Sequence, residues 1–554
     1  MNMEKKTRSD TNLDRISDLP EAIRKHILSF LPTRDAVRAS ILSSSWRALW
    51  IELPNLDFGR FELRGFLPVG YFPISINDDD AARERRDSIV KKSEELYEFL
   101  DRTLGLISKL EKLSLYLPHY GVELKSRFDH WLDCVVSCDV KELNLEIGGN
   151  HDIRYSLPKS VLGVNSITKL KLKGCELSSA SLVNTKLPSL QNLSLQYVYL
   201  DEGAMDSLAA TFPNLEVFTF KYCYGLTRLE VSGLTKLVKV DVEHNAEHYE
   251  AVEIDAPNLL EFTYMHEGEW LDSFSHPCEI EVATCKSMKR LKLVGVLFDD
   301  FDLNMLLEGL PVLEQLFLYE CDNLRDVCIS SPHLVELEFE RCRYLLTAAI
   351  HSPNLKIFHY ADDDPISFKS KCPALKLTEA SIYLKPDMKG DKWYVGLVKF
   401  LSKLCHSERL TICVGSEEDL IVPEKVRTKS RPPLRGVKHL MVELRASFMK
   451  HTPIKFIDAL LWLAPCPESL SIYNGFIPVC KSLKFMYEKP LKGQKKCGCW
   501  KSPLIICWRH SLEKVLLENK KGDEDDTRLA NFFSKGRLDG KMVCFVKNTR
   551  PKKK

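Results

Sequence analysis

The 554-residue chain has no long apolar run. Nowhere does it reach the roughly eighteen consecutive apolar residues that a membrane helix needs, which excludes a helical membrane protein. Net charge is nearly absent, 78 Lys and Arg against 77 Asp and Glu, so no bulk field draws the chain to nucleic acid or to an anionic membrane. It lacks a glycine-rich phosphate loop, a His-Glu-x-x-His pair and a Gly-x-Ser-x-Gly elbow, which removes the commonest signatures of nucleotide, zinc-protease and hydrolase chemistry. The opening MNMEKKTRSDTNLDR has no apolar core, so it does not read as a secretory signal. The expectation is an intracellular protein, of the cytoplasm, the nucleus or both, whose 18 cysteines are mostly reduced thiols. What is present is ordinary globular composition, 44% hydrophobic and 28% charged, over a length that implies more than one domain.

Residues 19 to 58 hold three short amphipathic segments separated by proline and polar punctuation. Pro20 suits a first helical position, and Ile23, Ile27 and Leu28 repeat at helical spacing. Pro32 stops that helix, and Thr33 is placed to cap a second one carrying Ala36, Val37, Ile41 and Leu42. After Ser43 to Ser45, the residues Trp46, Leu49 and Trp50 mark a third apolar face. About forty residues cannot bury this much apolar surface alone, so the module needs a partner.

The ordered run Leu19-Pro20, Ile27 to Pro32, Asp35 to Arg38, Leu42-Ser43, Trp46-Arg47, Leu49-Trp50 and Leu53-Pro54-Asn55-Leu56 resembles a plant F-box. It departs from the family at Ser44 and Ser45, where a basic residue usually precedes the Trp-Arg pair. The resemblance implies docking on a Skp-family adaptor and, through it, a cullin-based ubiquitin ligase. Candidate docking residues are then Leu19, Pro20, Ile27, Leu28, Val37, Leu42 and Trp46, some of which instead hold the helices together.

A repeat dominates the rest of the chain. The template apolar-x-x-apolar-x-apolar occurs at Leu110/Leu113/Leu115, Val140/Leu143/Leu145, Ile167/Leu170/Leu172, Leu190/Leu193/Leu195, Leu215/Phe218/Phe220 and Leu237/Val240/Val242. It continues at Leu259/Phe262/Tyr264, Met288/Leu291/Leu293, Leu313/Leu316/Leu318, Leu334/Leu337/Phe339 and Leu355/Phe358/Tyr360. Successive units are 21 to 30 residues apart, in or near the leucine-rich-repeat range. Cys175, Cys223, Cys321, Cys342 and Asn245 each fall three residues after the last strand apolar, where such a residue satisfies backbone groups at the turn. Each unit should donate one parallel strand, about 4.8 Å from the next, so eleven would line a concave face on the order of 50 Å long.

The expected layout is a flexible tail (1–13), an F-box (14–58), a linker and capping helix (59–106), a repeat solenoid (107–384), degenerate repeats and loops (385–504), a last domain (505–547) and a basic tail (548–554). Residues 415–436, rich in charge and proline, read as an exposed loop. The stretch Cys507 to Leu517, the acidic run Asp523 to Asp526, a helix around Leu529, Phe532 and Phe533, and a strand Met542 to Val546 resemble the FBD domain of many plant F-box proteins. The fold class is thus α/β: a three-helix F-box, a leucine-rich-repeat solenoid with parallel strands on its concave face, and a small FBD-like α+β region.

No catalytic constellation emerges, and no cofactor or metal is expected. His244 and His248 lie four apart among glutamates, but in a segment read as a loop. Cys497-Gly498-Cys499, with Cys480 and Cys507 nearby, has tighter spacing than a zinc knuckle and no second pair. The tail Arg550 to Lys554 reads as a solvated basic end or a nuclear address.

Strand residues alternating with the core point to the open face. They include Lys169, Lys171 and Lys173, then Phe317 and Tyr319, then Glu336, Glu338 and Glu340, which together form the candidate substrate surface; a merely solvated charged face is the plainer alternative. The expected function is substrate recognition for a Skp-cullin-F-box ligase, with no catalysis in this chain. The alternatives are a non-ligase interaction scaffold and a ligand-sensing receptor with a pocket in the solenoid.

Overall fold

A computed structural model describes residues 19–31, 33–39, 44–58, 80–107, 109–118, 120–148, 154–245, 249–267, 278–369, 375–386, 388–445, 453–474, 477–488, 508–519, 525–536 and 541–549. The chain divides into two compact units, Met1–Leu259 with Glu279–Glu281, and Leu260–Cys278 with Val282–Lys554.

The first unit begins with three helices, α1 (Glu21–Ser29), α2 (Thr33–Ala39) and α3 (Ser44–Ile51). Pro20 sits one residue before α1, and its carbonyl accepts the amides of Ile23 and Arg24. Leu28, Ala36, Trp46, Leu49 and Trp50 are buried and form the small interior between the helices. Thr33, expected as a cap, is the first residue of α2, and its Oγ1 accepts the backbone N–H of Asp57.

Asp57 lies in a strand, Asn55–Phe58, that pairs in parallel with Lys112–Leu117, placing Leu56 beside Leu113 and Phe58 beside Leu115. The ladder continues through Glu142–Ile147, Lys169–Lys173, Asn192–Gln196, Val217–Lys221 and Lys239–Asn245, all parallel. Equivalent template residues stack, so Leu56, Leu113, Leu143, Leu170, Leu193, Phe218 and Val240 form one buried column. Helix α4 (Asp80–Leu104), expected as a capping element, follows the first strand as the return segment of its repeat and packs on α5 (Lys125–Val136). Arg127 of α5 binds Asp101 and Glu94 of α4, and Trp131 donates to Asp101 at 2.7 Å.

The second unit carries a parallel ladder of Glu261–Glu267, Arg290–Val294, Gln315–Tyr319, Glu336–Glu340, Ile357–Asp362, Glu379–Leu384, Arg409–Val414, His439–Leu444 and Ser469–Asn474. Every apolar residue of the eleven sequence triplets is buried to 3% exposure or less. The sequence leads one to expect degenerate repeats after Tyr360, but the ladder continues regularly. Its last four parallel strands start at residues 379, 409, 439 and 469, a constant step of 30.

Repeat length decides what returns the chain to the next strand. A helix rises 1.5 Å per residue against about 3.3 Å for a strand, so it needs roughly twice the residues to cover the same span. Units of 21 or 22 residues return through short strands such as Arg228–Val231, Asp326–Ile329 and Thr347–Ile350. Units of 30 return through helices, Asp391–Lys403 and Pro453–Leu463 among them. The segment 415–436 belongs to such a unit and is not an exposed loop: Leu420, Val422, Val426 and Leu434 are buried within it.

The turn leaving each strand has one recurrent geometry. Gly174, Tyr197, Tyr222, Gly295, Glu320 and Arg341, each two residues past the last strand apolar, take positive φ. Each donates its N–H to the next strand, for example Tyr197 to Lys221 O at 2.9 Å and Arg341 to Ala361 O at 2.7 Å. The next residue supplies the ladder thiols. Cys342 Sγ lies 3.3 Å from Leu318 O of the preceding repeat, and Cys175, Cys223 and Cys321 lie within hydrogen-bond range of strand carbonyls. All four are buried, and burial pushes the Cys175 and Cys223 thiols up to about 12. These sulfurs are structural hydrogen-bond donors.

After Asn474 the pairing reverses. Ile477–Tyr487 is antiparallel to Ser469–Asn474 and to Leu512–Asn519, and Cys544–Thr549 then adds in parallel. The helix Asp525–Lys535 covers this sheet, with Trp508 packed on Phe532 and Phe533 at 5.5 and 5.4 Å between ring centres. Trp508 N donates to Pro465 O and Tyr487 Oη to Pro467 O, both at 2.8 Å, tying this end to the last repeat.

Candidate interaction surfaces

The helix α1 presents two faces. Leu28 points inward, and Trp46 of α3 joins it there, so these two hold the module together and are withdrawn from the candidate docking set. The outward side carries Ile23, 46% exposed, Phe30, 75%, and Leu31, 40%, with exposed Pro20 and half-buried Leu19 and Ile27 beside them. The spacing 20, 23, 27 and 30 puts these residues on one helical stripe. Phe30 is held by an edge-on contact with His26, 4.7 Å between ring centres. Ile23, Phe30 and Leu31 are not among the docking residues expected from sequence, although Ile23 shares the helical spacing of Ile27. The side chain of Val37, and Leu42 as a whole, lie outside the described residues.

Lys25 bridges Glu21 at 2.9 Å and Glu52 at 2.5 Å, joining α1 to the segment after α3. The hydrogen bond with Glu52 raises the Lys25 ammonium above its ordinary value, and the same contact lowers the Glu52 carboxyl.

On the strand face of the first unit, Lys169 pairs with Glu142 at 2.6 Å and Lys173 with Glu146 at 2.9 Å. Glu142 also faces Lys112, and the Lys169 contact leads in holding its carboxyl below the usual range. Lys171, between them on the same strand, is exposed, with Asn144 and Ser194 as register partners. The three lysines are therefore not a uniform positive strip.

On the strand face of the second unit, Phe317 is not an exposed anchor. It is 6% exposed, because the Arg290 guanidinium from the neighbouring strand lies 4.8 Å above its ring. Tyr319 is half-buried, with Lys292 Nζ 4.6 Å from its ring centre. Burial, followed by the nearby Glu338 to which it is hydrogen-bonded, raises its phenol well above the ordinary value. Glu336 accepts from Gln315 Nε2 at 2.6 Å and lies 4.0 Å from His359 Nε2. Glu340 lies 3.9 Å from Arg341. Phe317, Glu338 and His359 are direct register partners across three strands, which brings the predicted aromatic and acidic residues onto one face.

No metal site appears among the described residues: none of their His, Cys, Asp and Glu side chains group to hold an ion. His244 lies in the strand Lys239–Asn245 rather than a loop and is buried against Tyr249, 5.0 Å between rings. His248, Cys497, Cys499, Cys507 and the side chain of Cys480 lie outside the described residues, as do residues 1–18 and 550–554. No described helix is long and apolar enough to cross a membrane.

Comparison with known families settles what the module and ladder are. The F-box domain model matches residues 16–57, and the family model described as the LRR domain of At1g61320/AtMIF1 matches residues 103–271 and 270–446, more than half of the chain. The chain belongs to the F-box/LRR-repeat family. F-box/LRR-repeat protein At3g59190 of Arabidopsis thaliana is 31% identical over 271 residues, covering 47% of this chain and 65% of that protein. A relative from the same organism named as an FBD-associated F-box protein, At5g53635, is 30% identical over 251 residues, 44% of this chain and 52% of its own length. The chain thus spans between 40% and 65% of the length of the curated relatives it matches. Among solved structures, a chain of the TLR13–ssRNA13 complex aligns with a TM-score of 0.35 at 14% identity, over 67% of this chain and 60% of that one.

Proposed function

We propose that this F-box/LRR-repeat protein is the substrate-recognition subunit of a Skp-cullin-F-box ubiquitin ligase. The observation that carries the reading is the solvent-facing apolar stripe Pro20, Ile23, Ile27, Phe30 and Leu31, on a module whose interior is already filled by Leu28, Trp46, Leu49 and Trp50. An apolar stripe left outside a closed core is surface for a partner, and in an F-box that partner is a Skp-family adaptor, which brings a cullin. The repeats hold a substrate protein. Transfer gains from proximity, since a substrate fixed near the charged conjugating enzyme reacts as in a unimolecular step. No catalytic group in this chain is required. The ladder thiols, satisfied by backbone carbonyls, suit a reducing intracellular compartment.

The substrate face we favour is the strand surface of Tyr319, Glu336, Glu338 and Glu340, with Phe317 as its floor beneath Arg290; Lys169, Lys171 and Lys173 are the candidates in the first unit. The C-terminal sheet with its Asp525–Lys535 helix is the region we assign as FBD-like.

Co-expression with a Skp-family adaptor tests the docking. The full chain should capture the adaptor, and Phe30→Asp with Ile23→Asp should abolish capture while leaving the melting temperature unchanged, because both side chains are exposed. Equal capture by the double variant would overturn the assignment of that stripe.

A further inference from the structure

We propose that the F-box is also the N-terminal cap of the repeat ladder, so that seating an adaptor on it tightens the first repeats. The coupling rests on the adaptor reading above; the capping rests on geometry alone. The first strand of a parallel ladder exposes unpaired N–H and C=O groups on its outer edge, and such ends fray most easily. Here that first strand is Asn55–Phe58, and only Glu52, Leu53 and Pro54 separate it from the end of α3.

Its inner edge behaves as the next rung does. Pro54 O accepts from Glu111 N and Lys112 N at 2.7 and 2.9 Å, just as Glu111 O accepts from Lys141 N and Glu142 N at 2.9 Å each. On its outer edge α2 supplies an acceptor, Thr33 Oγ1, which takes the Asp57 amide at 2.7 Å. Lys25 fastens α1 to Glu52, just before the strand. Phe58, the strand's last residue, packs edge-on against Phe99 of α4, 5.9 Å between ring centres. The three helices and the first two strands therefore open together. In a repeat array each unit is stabilised by its immediate neighbour, so free energy gained at the F-box passes first to Lys112–Leu117. Linkage is reciprocal: a ladder frayed at this end should also bind the adaptor more weakly.

Amide hydrogen exchange on the full chain, alone and with a Skp-family adaptor at about a hundred times Kd, tests the coupling. Exchange in residues 55–58 and 112–117 should slow by up to about a hundredfold, with residues 469–474 unchanged. Adaptor binding that protects α1 but leaves 112–117 unaltered overturns the coupling alone. Absence of any binding overturns the adaptor reading and the coupling with it. Thr33→Val, without adaptor, tests the cap: exchange at 55–58 and 112–117 should quicken about tenfold, the equivalent of one hydrogen bond. Unchanged exchange in that variant overturns the cap.

Discussion

Thr33 Oγ1 accepts the backbone N–H of Asp57 at 2.7 Å, and both residues belong to the stretch that matches the F-box. Thr33 is buried, so removing its oxygen takes the acceptor of the Asp57 amide out of a part-buried contact. Thr33→Val should cost about 1–3 kcal/mol, read from guanidinium unfolding followed by the fluorescence of Trp46 and Trp50. Thr33→Ser, which keeps the acceptor, should recover most of that loss. Equal losses in both variants would assign the effect to packing of the methyl group instead.

Gly295 has φ +68, and a Cβ there would lie 2.5 Å from His266 O. Gly295→Ala therefore meets both a left-handed backbone penalty, about 1–2 kcal/mol, and a backbone clash. Arg341 occupies the equivalent turn position with φ 53, and its exposed side chain pairs with Glu320 at 2.9 Å and lies 3.9 Å from Glu340. Arg341→Gly relieves the backbone and gives up unfolded-chain rigidity, so it should stay within about 1 kcal/mol of the native protein. Urea unfolding of the two variants checks the contrast; similar losses would mean the turn is set by side chains rather than by backbone conformation.

The middle of the ladder was plain in the sequence because Leu, Val, Ile, Phe and Tyr recur at a fixed template, and each such residue is buried. Its two ends were hidden for different physical reasons. Leu53-x-x-Leu56-x-Phe58 obeys the same template and is buried, but it sits inside a motif already assigned to helices. Beyond Tyr360, Ala380, Ser407 and Pro467 stand where a large apolar residue was sought, and the helical return segments stretch the step to 30. Ser407 and Ala380 are nonetheless fully buried. The site was legible in kind but not in exposure. Alternation places Phe317 on the strand face correctly, yet only the neighbouring strand reveals that Arg290 covers it.

That cover changes what Phe317→Ala can report. A buried phenylalanine truncated to alanine typically costs about 3–5 kcal/mol, and here Arg290 would also lose its ring contact. The variant should unfold at markedly lower denaturant, so loss of a bound partner in it would not speak of recognition. Tyr319→Phe keeps the ring and its contact with Lys292, and should change stability by about 1 kcal/mol or less. Denaturant midpoints for the two variants decide the matter. If Phe317→Ala proves as stable as the native chain, the ring is not part of the core.

Asp362 ends the strand Ile357–Asp362 with its carboxyl buried, accepting the Asp363 amide at 2.8 Å. Burial pushes this carboxyl up to about 6, with Asp363, Asp322 and Asp364 adding like charge against the relief from the Asp363 amide. For an acid raised in the folded state, the stabilising contribution is full below the unfolded value near 3.8 and is lost as pH rises through about 6. At neutral pH the ionised carboxylate thus weighs against the fold, by on the order of 1–3 kcal/mol once solvent screening is allowed for. Asp362→Asn keeps an oxygen for the Asp363 amide and removes the charge. The variant should match the native chain near pH 4 and exceed it by roughly 1–3 kcal/mol at pH 7.5. Urea unfolding of both proteins from pH 4 to 8 measures the difference directly, and a gap that does not widen with pH would place the Asp362 carboxylate in contact with water.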